Sequence, residues 1–384
     1  MKAGRMPDPV ALTSLSLTDV RNYSGLSLGF SARLVALIGP NGAGKTNLLE
    51  AISLLTPGRG LRRAAFEAIT RLDTTGGWAV SAMIERDGEE TRIGTGLAGI
   101  DPGSGAARRV RINGASAPSA EALLEHLRLL WLTPAMDALF TGPAGDRRRF
   151  LDRLVLTVDP GHGRRVNDMD RLLTSRNRLL DEGASPAYLD AVEAQLAEKA
   201  VAVAFARAET VALLQARIEA QGAEGSAFPS AGLSITGEFD DAVTASPSAM
   251  LEVSYRDELR ETRFRDRAAG RTLSGPHRSD LSVTFAAKAM PAALSSTGEQ
   301  KALLIGIILA HADLVARTSG MTPILLLDEI AAHLDPGRRA ALFARLETLG
   351  VQAFMTGTDA DLFRDLPASS ERFEVVDGHV VRLG

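Results

Sequence analysis

Gly39-Pro40-Asn41-Gly42-Ala43-Gly44-Lys45-Thr46 carries the spacing G-x-x-x-x-G-K-[ST], with Asn47 directly after it. Glycines at these positions let the backbone curl until successive N–H groups converge on phosphate oxygens, beside the positive end of a helix. Lys45 is placed to reach the β- and γ-phosphates of a nucleoside triphosphate, and the Thr46 hydroxyl to hold Mg²⁺. A glycine-rich turn with an incidental lysine would show the same letters but not the same flanks. Here the apolar run Leu34–Ile38 precedes the loop and a helical segment, Asn47–Leu55, follows it.

Such a loop needs a carboxylate for its metal. Ile324-Leu325-Leu326-Leu327-Asp328-Glu329 supplies one, as an apolar strand ending in two acids. Asp328 is the candidate metal ligand, through a water, and Glu329 the group that orients or deprotonates the attacking water. Glu329, Lys45 and Asp328 are thus the candidate catalytic residues. Read alone, the segment could equally end in a solvated acidic turn; the phosphate loop favours the chemical reading. A third segment, Ser295-Ser296-Thr297-Gly298-Glu299-Gln300-Lys301, stands before the helical run Ala302–Leu314. Its hydroxyls either help a helix N-terminus hold an anion or form an ordinary N-cap, and the local sequence favours the ordinary cap.

The elements that must position these groups are legible in outline. Leu34–Ile38 and Ile324–Leu327 read as strands buried on both faces. Leu26–Phe30, Val80–Glu85, Thr91–Thr95 and Arg109–Ile112 read as shorter strands, the last followed by an Asn113-Gly114 turn. From Glu121 to about Gln221 the pattern is helical. Leu172, Leu173, Leu179 and Leu180 precede a break at Gly183–Pro186; Leu189, Val192, Leu196 and then Val211, Leu214, Ile218 follow in a 3-then-4 rhythm. This predicts an antiparallel helical hairpin, either a short arm or a plain helix pair, with its heptad interrupted at the alanine-rich Ala200–Ala208. Gln221–Ser248, rich in Gly, Ser, Pro and Ala, reads as a linker. Strands are expected again at Leu251–Tyr255, Leu281–Phe285 and Val351–Met355, with a helix after Pro336. The two ends are therefore α/β and the middle is a helical insertion.

Composition sets wider bounds. The 384 residues are 45% hydrophobic and 23% charged with a net charge of −4, an ordinary globular balance without a global positive field. Cysteine is absent, which excludes disulfides and thiolate metal sites and agrees with a cytoplasmic setting. Met1–Val10 lacks the apolar core of a secretory signal. The apolar run Ala302–Ala310 falls short of the ~20 residues a membrane span needs, so no membrane segment is expected.

The order of phosphate loop, long insertion, S-x-G-[EQ]-Q and hydrophobic-D-E-x₅-D resembles the ABC-type ATPases of the SMC and Rad50 group. Within that group the chain is similar to the RecF family of bacterial recombination and repair proteins. The matching pieces are Arg21-Asn22-Tyr23, Gly39–Glu50, Gly58-Arg59-Gly60 with Arg62, Leu132-Thr133-Pro134, Arg147–Asp152, Arg176-Asn177, Gly275–Asp280, Ser296–Lys301 and Leu327–Asp335. The resemblance implies an α/β fold, an ABC-type ATPase head (a P-loop NTPase) with a largely helical inserted arm. The head would comprise residues 1–118 and 251–384, with the insertion at 119–250. It implies that ATP and Mg²⁺ are held between two copies of the chain. Lys45 and Thr46 of one face Ser296 and Gly298 of the other across the γ-phosphate, with Glu299 in the same turn and Asp335 in a segment lining that interface. ATP would act as dimer glue and hydrolysis would release it. Three departures stand out: the signature begins Ser-Ser-Thr, Gly357 follows Thr356 where many such proteins have a switch histidine, and no glutamine loop is evident.

Two arginine-dense stretches bear on DNA. Residues 147–178 hold nine arginines against four acids, and 256–278 seven against four. Interspersed acids make a solvated, salt-bridged face the default, and Arg147–Arg149 could instead pin the insertion in place. The family resemblance implies binding to gapped or duplex DNA through backbone phosphate, with Arg59, Arg62, Arg63, Arg147, Arg148 and Arg176 as candidate contacts. Aromatics are 5% of the chain, poor support for base stacking. The implied activity is a weak DNA-stimulated ATPase in replication, recombinational repair and the SOS response, working with RecR and RecO to load RecA. The competing readings are the ATPase subunit of a membrane transporter and another SMC-like ATPase; the arm is too short to bridge distant duplexes.

Overall fold

The computed structural model describes residues 7–74, 76–98 and 108–383; residues 1–6 of the Met1–Val10 segment lie outside them. In chain order the elements are β1 (Val10–Val20), β2 (Tyr23–Gly29), β3 (Leu34–Ile38), α1 (Lys45–Ser53), β4 (Gly77–Arg86), β5 (Glu89–Ala98), β6 (Arg108–Ile112), β7 (Ala115–Ser116) and β8 (Leu129–Leu132). Next come α2 (Ala144–Val158), α3 (His162–Asp181), α4 (Pro186–Ala223), β9 (Ala231–Thr236), α5 (Glu238–Ala245), α6 (Ser248–Glu261), α7 (Arg263–Ala269), β10 (Asp280–Phe285) and β11 (Met290–Pro291). Last are α8 (Thr297–Ser319), β12 (Ile324–Leu327), α9 (Pro336–Leu349), β13 (Gln352–Gly357), β14 (Glu371–Val376) and β15 (His379–Leu383).

Two compact units result. The first comprises Met1–Asp137, Gly225–Phe228 and Thr297–Gly384; the second, Ala138–Glu224 and Pro229–Ser296. The chain therefore crosses between units at 137/138, 224/225, 228/229 and 296/297. The expected boundary at 118/119 lies inside the first unit, and that at 250/251 inside α6 of the second.

The first unit is built on a six-stranded sheet in the order β15-β14-β3-β13-β12-β8 and a second, antiparallel sheet in the order β2-β1-β4-β5-β6-β7. Every side chain of β3 and β12 is buried, as their unbroken apolar runs require. β13 lies between them, parallel to both: Leu34–Ile38 pairs with Ala353–Gly357, and Leu327 with Met355. The carboxyl ends of β3, β13 and β12 consequently emerge side by side at one end of the sheet. Phe30 packs edge-on to Phe354 (5.0 Å) and Phe373 (5.6 Å), inside a core shared by β1, β3, α1 and β4. Helix α8 is long and apolar enough to cross a membrane by length and composition, but 78% of its most apolar window is buried within the protein. It is a core helix.

β8 departs from the helical pattern expected over this stretch: Leu129–Leu132 pairs in parallel with Ile324–Leu327 as an edge strand of the sheet. Four apolar residues have no periodicity to separate a strand from a helix.

The second unit holds α2 to α7 and a three-stranded sheet in the order β11-β10-β9. α3 and α4 form the expected hairpin, and Met169 and Leu173 pack with Leu196, Ala197 and Ala200. Two expectations fail here. Leu251–Tyr255 is not a strand but part of α6: Leu251, Tyr255 and Leu259 are buried at helical spacing, while Val253 is exposed. The supposed linker 221–248 contains β9, paired with β10 from Ala231↔Phe285 to Thr236↔Asp280, and then α5.

Candidate functional site

The loop after β3 needs its glycines. A Cβ on Gly39 would lie 2.0 Å from the Val375 carbonyl oxygen of β14. Gly44 has φ +113°, and a Cβ there would lie 2.5 Å from Asn22 Nδ2 and 2.8 Å from Tyr23 Oη. The loop is thus pressed onto the β1–β2 turn and the β14–β15 turn: Tyr23 Oη donates to the Gly44 carbonyl (3.1 Å) and Gly378 N–H, between β14 and β15, donates to that of Ala43 (3.2 Å). Burial pushes the Tyr23 phenol up to about 12, so it stays a neutral donor. Pro40, Asn41 and Gly42 form the exposed tip, whereas Ala43, Gly44 and Lys45 are buried. The Lys45 ammonium donates to the Gly39 (2.7 Å) and Pro40 (2.8 Å) carbonyls, leaving one hydrogen for a phosphate oxygen. Its pKa is lowered by burial, against the opposing pull of Glu329 and Asp328.

The acidic pair lies where the strand order puts it. Thr46 Oγ1 donates to Asp328 Oδ1 at 3.0 Å, joining residues 282 positions apart. Thr356 Oγ1, at the end of the intervening β13, donates to the same oxygen at 2.8 Å and accepts from Glu329 N–H at 2.8 Å. Asp328 is 4% exposed and Thr356 fully buried. A hydroxyl and a carboxylate side by side, beside a phosphate-binding loop, are the hard oxygen set that suits Mg²⁺, an ion that completes its shell with water and substrate phosphate. Among the described residues no cluster of three His, Cys, Asp or Glu could hold a metal by itself.

Behind α1 sits a polar relay that the sequence did not reveal. Glu50 is fully buried and receives a bidentate pair of bonds from Arg21 (2.8 Å each) and one from Arg62 (3.3 Å). Arg62 also donates to Asn47 Oδ1 (2.6 Å), and Asn47 Nδ2 to Asn22 Oδ1 (2.7 Å), which leads back to the loop. Arg21, Asn22, Asn47 and Arg62 stood in the matching motifs, but nothing in their spacing foretold a shared carboxylate. Thr356 was likewise missed; its only signal was a hydroxyl at the end of an apolar strand.

Ser296 immediately precedes α8, and Gly298 and Glu299 lie in its first turn, with Ser296 and Gly298 exposed. Asp335 caps α9, accepting from Arg338 N–H at 2.9 Å. The role expected of these four needs a second copy of the chain.

The arginines divide sharply. Arg59, Arg62 and Arg63 are exposed on the segment after α1. Arg176 is not a surface residue: it is fully buried and bonds to Glu193 (2.9 Å), Asp266 (2.8 Å), Thr272 Oγ1 (2.7 Å) and the Leu259 carbonyl (2.7 Å). Arg147 is taken up by a bidentate pair with Asp280, 2.7 Å each, which raises its pKa. Both are structural rather than free for DNA. Arg148 donates to the Ser279 carbonyl (2.7 Å), and its pKa is lowered by burial and by Arg207, against the opposing pull of Asp280 and Asp152.

Comparison with known proteins shows the family of the chain. The family described as the RecF/RecN/SMC N-terminal domain matches residues 11–379. The chain is 56% identical over 376 residues to the DNA replication and repair protein RecF of Mesorhizobium japonicum, covering 98% of each. It is 54% identical to that of Brucella suis, covering 99% of this chain and 98% of the relative. Among solved structures, the recombination mediator protein RecF-ATPrS of the RecFOR pathway superposes with a TM-score of 0.86 at 23% identity, covering 99% of this chain and 100% of the other. A Pyrococcus furiosus Smc head bound to the C-terminal domain of ScpA superposes at 0.53 and 16% identity, covering 98% and 96%. At those identities the structural likeness speaks for the fold, an ABC-type ATPase head.

Proposed function

The chain belongs to the RecF family of DNA replication and repair proteins, within the RecF/RecN/SMC group, and on that premise we propose that it is an ATP-gated DNA clamp. The observation that carries the reading is the meeting of Thr46 and Asp328 at 3.0 Å beside the Lys45 ammonium. The loop N–H groups and Lys45 bind the triphosphate and stabilise charge as it develops on the β- and γ-oxygens. Thr46 and Asp328 would hold Mg²⁺, which supplies further neutralisation of the phosphates. Glu329 orients the attacking water and accepts its proton. The products are ADP and phosphate.

ATP is sandwiched between two copies, with Lys45 and Thr46 of one opposite Ser296 and Gly298 of the other, and with Glu299 and Asp335 lining the joint. The solved RecF complexes with RecF-ATP and RecF-ATPrS in their names accord with ATP as the ligand. The dimer holds gapped or duplex DNA through backbone phosphate, using Arg59, Arg62, Arg63 and Arg148, and slow hydrolysis times release. DNA stimulates this weak ATPase, and the cytoplasmic complex acts with RecR and RecO to help load RecA. No observation favours a transporter subunit.

The test measures oligomeric state and gapped-DNA binding with ATP and Mg²⁺, without nucleotide, and in Lys45→Met. ATP is expected to give a DNA-holding dimer, while the variant stays monomeric and binds weakly. A variant that dimerises and binds like the parent would refute the gating.

A further inference from the structure

We propose that Thr356 is a positioning residue for the hydrolytic step: its hydroxyl holds the Asp328 carboxylate and fixes the backbone from which Glu329 reaches the substrate. The inference rests on the catalytic reading of that acidic pair. A threonine hydroxyl has one hydrogen to give and lone pairs to receive. Here the hydrogen goes to Asp328 Oδ1 (2.8 Å) and a lone pair takes the Glu329 N–H (2.8 Å), so one oxygen ties together both acids.

Glu329 needs such a tie. Its φ is +52°, a left-handed conformation that a residue with a side chain rarely adopts without local support. The N–H bond to Thr356 holds that peptide in place, and with it the direction in which the Glu329 carboxylate leaves the chain. Thr356 is itself immobile: fully buried, β-branched with few χ1 choices, and set by the β13 register that places Met355 opposite Leu327. The neighbouring position offers no substitute. A Cβ on Gly357 would lie 2.6 Å from Phe363 Cε2, so the place where many ABC proteins carry a histidine is closed here to any side chain. Thr356 is therefore the polar group that this strand end presents to the acidic pair. Thr46 shares the same Asp328 oxygen, but its hydroxyl has a ligand of its own to serve; Thr356 is free of that duty.

The test compares Thr356→Val, which keeps the shape and deletes the hydroxyl, with Thr356→Ser, which keeps the hydroxyl. Steady-state ATP hydrolysis, equilibrium binding of a fluorescent ATP analogue and thermal melting are measured for each, with Glu329→Gln alongside. The valine variant is expected to lose about 10- to 100-fold in kcat, the scale of a misplaced catalytic group, while its affinity for the analogue stays within about twofold of the parent. Its ATP-bound dimer should correspondingly outlive the parent's. The serine variant should recover most of the rate. A valine variant that turns over at the parent rate, or that loses affinity and kcat together, overturns the proposal, as does a serine variant as slow as valine. If Glu329→Gln also hydrolyses ATP at the parent rate, the catalytic assignment falls and the proposal with it. If that variant is inactive while Thr356→Val is unimpaired, only the proposal falls.

Discussion

Arg176 and Arg59 carry the same guanidinium in opposite settings. Arg176 is wholly enclosed, its charge shared between Glu193 and Asp266, each 1% exposed. Arg59 stands in water on the segment after α1. In sequence both are candidate DNA contacts, Arg176 from an arginine-dense stretch and Arg59 from a motif of the family resemblance, and neither signal records which way a side chain points. Removing one partner of a buried ion network leaves the others uncompensated, which typically costs about 3–5 kcal/mol. Arg176→Met should lose that much in urea unfolding, and any loss of DNA binding should follow the loss of folded protein. Arg59→Ala should change stability by less than about 0.5 kcal/mol. Its DNA affinity should weaken, and the slope of log affinity against log salt should become shallower by about one phosphate contact. A salt slope unchanged in Arg59→Ala would remove Arg59 from the interface. The phosphate loop and Asp328-Glu329 were legible because their chemistry dictates residue type and spacing locally. Thr356 and the Glu50 relay were not, because each depends on contacts made through the tertiary fold.

At the level of single elements, α4 shows why an interrupted heptad need not interrupt a helix. Its 38 residues run unbroken from Pro186 to Ala223, through the alanine-rich stretch where the leucine rhythm lapses. Ala197, Ala200 and Ala204 are buried against α3, α5 and α6, so small side chains there mark close packing. Alanine also has the highest helix propensity, and nothing in the segment breaks the ladder. Ala200→Leu should therefore overpack this face and cost about 1–3 kcal/mol, whereas Glu198→Leu, on the exposed side, should be nearly neutral in the same unfolding titration. Equal effects would mean that α4 is not packed on that face. The misread segment Leu251–Tyr255 teaches the complementary lesson. Leu251, Val253 and Tyr255 alternate as in a strand, and only the wider spacing Leu251, Tyr255, Leu259 reveals the helix. Around β9, Gly and Ser were mistaken for linker because they serve tight pairing: a Cβ on Gly232 would lie 2.4 Å from Thr284 Oγ1.

Across the whole molecule, β3 and β12 lie nearly 290 positions apart in sequence and are separated in space by a single strand. The order β3-β13-β12 gathers phosphate loop, Thr356 and acidic pair at one end of the sheet, so the long insertion between them leaves the site intact. Since these groups form a site only in the folded chain, the proposed binding of ATP with Mg²⁺ should stabilise folding by mass action, by about 2.7 kcal/mol when free ligand is a hundredfold above its Kd. If two copies share each nucleotide, association adds to this and makes the stabilisation depend on protein concentration. The melting temperature with Mg²⁺ and ATP should then rise as the protein is concentrated, and should be nearly independent of concentration without nucleotide. Chelating Mg²⁺ should remove much of the gain, because the Thr46–Asp328 pair then meets the phosphates without the cation that reconciles their charges. Differential scanning fluorimetry over a hundredfold range of protein concentration, with ATP, with ATP and chelator, and without either, separates the cases. A nucleotide-induced gain that is large yet insensitive to protein concentration would show ATP bound within one copy, and the sandwich would have to be given up.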